Sequence, residues 1–395
     1  MQRLAASYIY PLDGHKPVRN GFVEYEEDGT IIRFGESGDI SSEPEYYDGA
    51  VVPGFVNTHC HIELSYMKGL FRRGSGMTGF IDQINSLRDI SPKEKRLNDI
   101  KFRMDDLWKQ GVSAMGDISN CDDSFEIKAS SEMYTRTFLE VFGTEPDDCD
   151  KIMTDVAALT DEAMALGLDA APTPHACYTM SPELLTAASA AALKSSFLSY
   201  HSEESAEEEQ MIMSGSGPLF ANRKNAGMST PPVTGKSSLS YFADRIEKIH
   251  PSPFYEHILL VHEVCMNQEG IDRVKTMMPN LFISLCPLSN IFIHNSLPPV
   301  SLMRKNGLKI TVGTDSLSSN DDLNMVNELF CLQENFPEVG MEELLTWACS
   351  NGALFLSRED TLGSISAGKK PGLVFVNHLS PQGRLTTASS SQRII

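Results

Sequence analysis

The stretch Val51-Val52-Pro53-Gly54-Phe55-Val56-Asn57-Thr58-His59-Cys60-His61 decides how the rest of the chain is read. It is an apolar run that ends in two histidines one residue apart. Successive side chains of a strand point to opposite faces, so His59 and His61 share a face and Cys60 points away. Two imidazoles at the end of a buried strand make half of a metal site. A His-x-His pair also arises by chance, so the other ligands must come from where a fold would deliver them.

Outward from this stretch, apolar strand-like runs alternate with helical ones, the pattern of repeated β/α units. Further strands are predicted at Val112–Ile118, Tyr134–Phe142, Leu168–Pro174, Phe197–Tyr200, His257–Val261, Leu281–Leu285 and Leu308–Val312. With the first they make eight. Helices fit between them, for example over Ile152–Leu166 and Pro182–Lys194. This predicts an α/β fold in which residues 53–358 form a (β/α)₈ TIM-like barrel, with its active site at the C-terminal strand ends. The long connection from His201 to His257 holds a Gly/Ser/Pro-rich part, Ser214–Ser238, expected to be a lid or a surface insertion.

Both ends of the chain read as short strands. Gly21–Tyr25 and Thr30–Phe34 alternate around a Glu27-Asp28-Gly29 turn, while Leu373–Val376 and Gln392–Ile395 read as late strands. A small β-sandwich assembled from residues 1–52 and 359–395 is the expected second domain.

The polar residues at the predicted strand ends form a series: His59 and His61, then His175, His201, His262 and Asp315. A lone histidine beside an apolar run is usually a packing or surface group. Five histidines and an aspartate at successive strand ends would converge in a barrel. His15, His250, His294 and His378 fall in turns or loops and are assigned no function. Glu203, Glu204, Glu207, Glu208 and Glu209 read as the acidic first turn of a helix.

Composition sets limits. The 395 residues carry 33 Lys+Arg against 53 Asp+Glu, a net charge of −20. That balance repels phosphate backbones and anionic bilayers, which argues against a nucleic-acid or membrane partner. The N-terminus lacks the apolar core of a signal peptide, and no run reaches the roughly 18 apolar residues of a membrane span. The eight cysteines follow no disulfide or zinc-ribbon spacing, which fits a reducing, cytoplasmic setting.

With these residues in view, the chain resembles the amidohydrolase superfamily, and in it the cytosine deaminase, guanine deaminase and chlorohydrolase branch. The resemblance rests on Pro53–His61 with Lys68-Gly69, then in order Pro174–Tyr178, His201–Ser205, Cys286–Asn290, Gly313-Thr314-Asp315 and Ser319–Met325. It departs at Cys60, where a threonine is common, at Lys68, where an arginine is common, and at Pro371-Gly372. The resemblance implies one divalent metal, zinc or iron(II), held by His59, His61, His201 and Asp315. It further implies that Asp315 takes a proton from water, that Glu204 shuttles protons and that His262 polarises the group under attack. His175 and Arg136 match substrate-contacting positions. Glu63 and Arg72 could also bear on specificity. The region Ala170–His175 has no lysine, against the two-metal sites bridged by a carboxylated lysine. The expected activity is hydrolytic deamination of an amino-substituted N-heterocycle, such as a purine or an adenosine- or aminofutalosine-type nucleoside. The alternatives are a chlorohydrolase or cyclic amide hydrolase with the same site, and a non-catalytic ligand-binding barrel. The expected partner is a small-molecule substrate. A homo-oligomer is compatible with the resemblance, although no stretch identifies an interface.

Overall fold

A computed structural model of the chain describes residues 1–36 and 44–395. The opening stretch proves to be two strands rather than one. β4 (Glu45–Pro53) ends in Val51-Val52-Pro53, and β5 (Phe55–Cys60) starts two residues later. Between them Gly54 passes so close to its neighbours that a Cβ would lie 1.9 Å from Ser113 Oγ and 2.5 Å from the Pro371 carbonyl. Only glycine fits there. The apolar run therefore carries the chain from one sheet into another.

The first of these sheets is built from both termini. Its order is β14-β13-β4-β1-β2-β3, where β1 is Gln2–Ile9, β2 Val18–Tyr25, β3 Ile31–Glu36, β13 Leu373–Val376 and β14 Ser391–Arg393. β2 and β3 form the expected antiparallel hairpin, and β1 lies parallel to β4. Period-two alternation shares out its side chains. Val51 joins a local cluster with Leu4, Ile9, Val23 and Leu373, while Ala50 and Val52 pack into the main core. The described residues form one mixed sheet here, where a two-sheet sandwich was expected. The terminal span 1–52 includes residues 37–43, which lie outside the description.

The middle of the chain forms two four-stranded parallel sheets, β5-β6-β7-β8 and β12-β11-β10-β9. The strands are β6 Val112–Ser119, β7 Tyr134–Val141, β8 Asp169–Pro174, β9 Phe197–Ser202, β10 His257–His262, β11 Leu281–Leu285 and β12 Lys309–Val312. Each expected strand is present, and the Pro182–Lys194 helix has the expected bounds. β9 and β10 run further than expected, so His201 and His262 lie within strands. The two sheets touch along both edges. Thr173 Oγ1 exchanges hydrogen bonds with the Ser199 backbone, and Thr58 Oγ1 reaches Ser284, Thr311 and the Val312 carbonyl. One apolar cluster draws Val56, Ala114, Ile118 and Phe138 from the first sheet and Leu259, Val261 and Phe282 from the second. No helix among the described residues is long and apolar enough to cross a membrane.

Candidate active site

The polar residues read from the sequence lie together at the C-terminal ends of the parallel strands. The His59 and His61 ring centroids are 5.0 Å apart, and His201 is 4.7 Å from His59. Asp315 comes in after β12, bonded by backbone N–H groups of Thr314 and Asp315 to the His59 carbonyl at 3.0 Å. Gly313 permits that approach, since a Cβ there would sit 2.8 Å from both the His59 Cβ and its carbonyl. Asp315 Oδ1 lies 3.8 Å from His59 Nε2 and 3.7 Å from His61 Nε2. Its Oδ2 accepts hydrogen bonds from Ser289 at 2.5 Å and Ser319 at 2.9 Å.

Burial governs the charge state of this cluster. Desolvation pushes the His59 and His201 imidazoles well below their usual pKa, with the neighbouring imidazoles adding to it. His61 is lowered for the same reason, against the pull of Asp315 and Asp117. Neutral imidazole is the form that binds a metal. Both ring nitrogens of His59 are buried without a hydrogen-bond partner, an arrangement costly to the fold unless something occupies the site. Ligand atoms of His59, His61 and His201 all lie within 4.8 Å of one another. Three neutral imidazoles and a carboxylate are a donor set that fits zinc or iron(II).

Beside this cluster stand the proton-handling groups. His262 Nε2 is 3.6 Å from Glu204 Oε1, whose other oxygen accepts a bond from Tyr178 at 3.1 Å. Burial alone would push the Glu204 carboxyl up, but the imidazoles of His262, His294 and His175 outweigh it and bring the pKa down to about 2. The strand-to-helix turn that carries Glu204 is fixed by Glu208, which accepts the Glu203 and Glu204 backbone N–H groups. Several of these residues hold left-handed backbone, with φ of 76° at His262, 54° at Asp315 and 46° at Glu203. Such conformations in non-glycine residues cluster at functional sites.

Two residues that sequence reasoning passed over belong here. His294 ends the Pro287–His294 helix and places Nε2 4.0 Å from Glu204 Oε1. Its distance in sequence from any strand end concealed it. Glu140, at the end of β7, has a buried Oε1 3.4 Å from His201 Nδ1 and 4.0 Å from His175 Nε2. Burial pushes its pKa up to about 8. A glutamate among the apolar residues of a strand was the available signal. Arg136 does not join the site. It lies four residues before Glu140 on the same strand, about 13 Å back along it. There it pairs with Asp169, donates to Ser195 at 2.7 Å and stacks 4.3 Å from the Phe197 ring centroid. The segment 214–238 does not line the cavity. Met77, Phe80, Ile81 and Ile84 of the Gly76–Leu87 helix do. That helix is tied down by Glu207, which accepts the Met77 and Thr78 N–H groups at its N-terminus, and by Asn222 bonded to Asp82 at 2.9 Å. Cys177 and Cys286 are buried with thiols pushed well up, first by desolvation, as packing residues would be.

Comparison with known proteins adds the following. The profile of the amidohydrolase family matches residues 50–393. An adenosine deaminase of Helicobacter pylori is 27% identical over 336 residues, covering 83% of this chain and 79% of that protein. The crystal structure of Helicobacter pylori aminofutalosine deaminase with methylthio-coformycin superposes with a TM-score of 0.83 at 22% identity, covering all of both chains. The zinc-bound atrazine chlorohydrolase of Arthrobacter aurescens superposes with a TM-score of 0.71 at 16% identity, over 95% of this chain and 86% of that one.

Proposed function

From the premise that the chain belongs to the amidohydrolase family, in its deaminase and chlorohydrolase branch, we propose that it removes an amino group as ammonia from a nucleoside-type N-heterocycle. The carrying observation is the meeting of Glu204 and His262 beside three neutral, buried imidazoles and Asp315. The two parallel sheets are taken as halves of one closed barrel over residues 53–358, with 1–52 and 359–395 as an accessory β domain. The bonds along both sheet edges and the shared interior cluster support that closure. One zinc ion is assigned to His59, His61, His201 and Asp315. The reduced cysteines and acidic surface agree with a cytoplasmic enzyme of small molecules.

A metal held by those four residues would supply an activated water, its pKa lowered from 15.7 to roughly 7. Asp315 Oδ1 accepts a proton from the attacking water, while Ser289 and Ser319 hold Oδ2 and fix the carboxylate plane. Glu204, ionised in its pocket, would first gain one proton of the attacking water and pass it to the ring nitrogen beside the reacting carbon, and would then relay the second proton, taken up by Asp315, to the departing amine. His262 Nε2–H stabilises the oxygen that gains charge on that carbon. The amidine-like C–NH₂ becomes a carbonyl, and ammonia leaves. His175, in the cavity wall, takes the role of a substrate contact. The likeness to the zinc-bound chlorohydrolase keeps a second reading in play, chloride release by the same groups.

The test is ammonia release over purine bases, nucleosides, pyrimidines and pterins, with Glu204→Gln as the probe. The variant should lose turnover and keep its metal. Surviving turnover in Glu204→Gln, or chloride from halo-triazines with no ammonia from any compound, would reverse the proposal.

A further inference from the structure

Two cavities meet at Glu204. The catalytic one, about 170 Å³, has His262 and Tyr178 on its side of that carboxylate, and Met77, Phe80, Ile81 and Ile84 form its apolar wall. The other, a cleft of about 580 Å³, has His294, Ser205, Glu207 and Cys265 in its walls. Among the described residues Glu204 alone lines both. The cleft reaches the surface, since Gly74, Ala206, Asn295 and Ser296 in its walls are exposed. Glu204 therefore has a substrate side and a solvent side.

On the solvent side one group is placed to exchange protons with it. His294 Nε2 lies 4.0 Å from Glu204 Oε1, the oxygen that His262 faces at 3.6 Å from the substrate side. Pairs of this kind are often long before substrate binds and tighten in the complex. His294 Nε2 is buried without a hydrogen-bond partner, yet the side chain keeps 9% of its surface exposed. An imidazole can take up a proton at one nitrogen and release one from the other. The remaining titratable groups of the cleft are committed elsewhere. Glu207 accepts the Met77 and Thr78 N–H groups at 3.0 and 3.1 Å. Burial first, then Glu208 and Glu209, push the Cys265 thiol up.

The reaction leaves a use for such a group. The two protons of the attacking water supply the ring nitrogen and the amine, so hydrolysis yields neutral ammonia beside Glu204. Ammonia in neutral water binds one proton more, and that proton comes from solvent. With product in the catalytic cavity and apolar side chains around it, the cleft is the open route. We infer that His294 is a proton port: it takes a proton from water in the cleft at one nitrogen and passes one from Nε2 to Glu204, which hands it to the ammonia. The ammonium ion has no lone pair with which to add back to the new carbonyl. This assignment rests on the deaminase reading above and makes His294 a relay that acts through Glu204.

The experiment follows the first turnover and the steady state in the wild type, His294→Ala and His294→Gln, with metal content measured in each. The substrate is the compound of the ammonia-release panel that the wild type turns over fastest, and imidazole is the added probe. Proton transfer by a placed side chain contributes roughly 10²- to 10⁴-fold, so steady-state turnover should fall on the order of 10-fold or more in both variants. The first turnover should keep its rate, so that a burst of heterocyclic product precedes the slow phase. Imidazole entering the cleft of His294→Ala should restore the steady state in a saturable way and leave the burst unchanged. Full turnover in His294→Gln would show that a hydrogen bond suffices and that no proton passes. An equal loss in burst and steady state, a loss that imidazole does not reverse, or loss of metal from both variants would make His294 structural. Each of these overturns the port and leaves the deaminase reading standing. No ammonia from the wild type on any compound of the panel overturns both.

Discussion

Asn290 offers a sharp test of how His262 works. Its amide nitrogen sits 3.1 Å from His262 Nδ1, both groups fully enclosed. A donor facing Nδ1 makes that atom the acceptor and puts the ring proton on Nε2, which faces Glu204 at 3.6 Å. Replacing Asn290 by Ala leaves a buried acceptor without its donor, a loss of about 1–3 kcal/mol. If the lost preference for the Nε2–H tautomer appears in the barrier, kcat should fall roughly 5- to 150-fold at about 1.4 kcal/mol per tenfold. KM should change little and the metal should stay. Asn290→Asp is the sharper variant because it has almost the same shape. Its carboxylate would accept Nδ1–H, so Nε2 keeps a proton only in the imidazolium form. Its kcat should therefore fall with rising pH in a range where the wild type does not. Steady-state ammonia release across pH, with metal analysis, reads both. A kcat within twofold of wild type in Asn290→Ala, or parallel pH profiles for wild type and Asn290→Asp, would refute the reasoning.

Three further outcomes follow from the same geometry. Lys128 and Asp117 form a wholly buried ion pair, and Asp117 also accepts the Ile62 N–H at 2.9 Å beside the metal-site histidines. Lys128→Met strands that carboxylate at a loss of about 3–5 kcal/mol, or roughly 4–6 °C in the thermal midpoint of a chain this long, and adding Asp117→Leu should restore much of it. Arg136→Ala should lower the midpoint yet leave KM and kcat within about twofold, because its partners Asp169 and Ser195 lie away from the site. Burial raises the Glu208 carboxyl from 4.5 to about 8, helped by Glu209. Its folded form favours the proton, so its contribution is full below pH 4.5 and fades as pH rises through about 8. At about 1.4 kcal/mol per pKa unit the change is on the order of a few kcal/mol. Denaturant titrations at pH 5 and 9 should show a smaller pH difference in Glu208→Gln than in the wild type, and equal differences would contradict the account.

Much of the architecture was legible in advance because it rests on local patterning. The β11 and Pro182–Lys194 boundaries coincide with expectation, as apolar runs and an alanine-rich amphipathic face are set by neighbours in sequence. The opening run misled in one respect. Hydropathy cannot show that Gly54 turns the chain between two sheets, since the demand for glycine comes from Ser113 and Pro371, both distant in sequence. The same limit hid His294 and misplaced Arg136. One reaches Glu204 from the end of a helix, and the other occupies the wrong end of the right strand.

What the sequence by itself determined is the set of groups that strand ends deliver: His59, His61, His175, His201, His262 and Asp315 mark the rim whatever the side-chain detail. Tertiary structure alone decided what surrounds them. Which oxygen of Asp315 is held by Ser289, which nitrogen of His262 carries the proton, and that Glu140 Oε1 is buried without a hydrogen-bond partner all depend on contacts between residues far apart in the chain. Strand periodicity fixes direction over a few residues, whereas hydrogen-bond partners and cavities are set only when separate strands and helices pack.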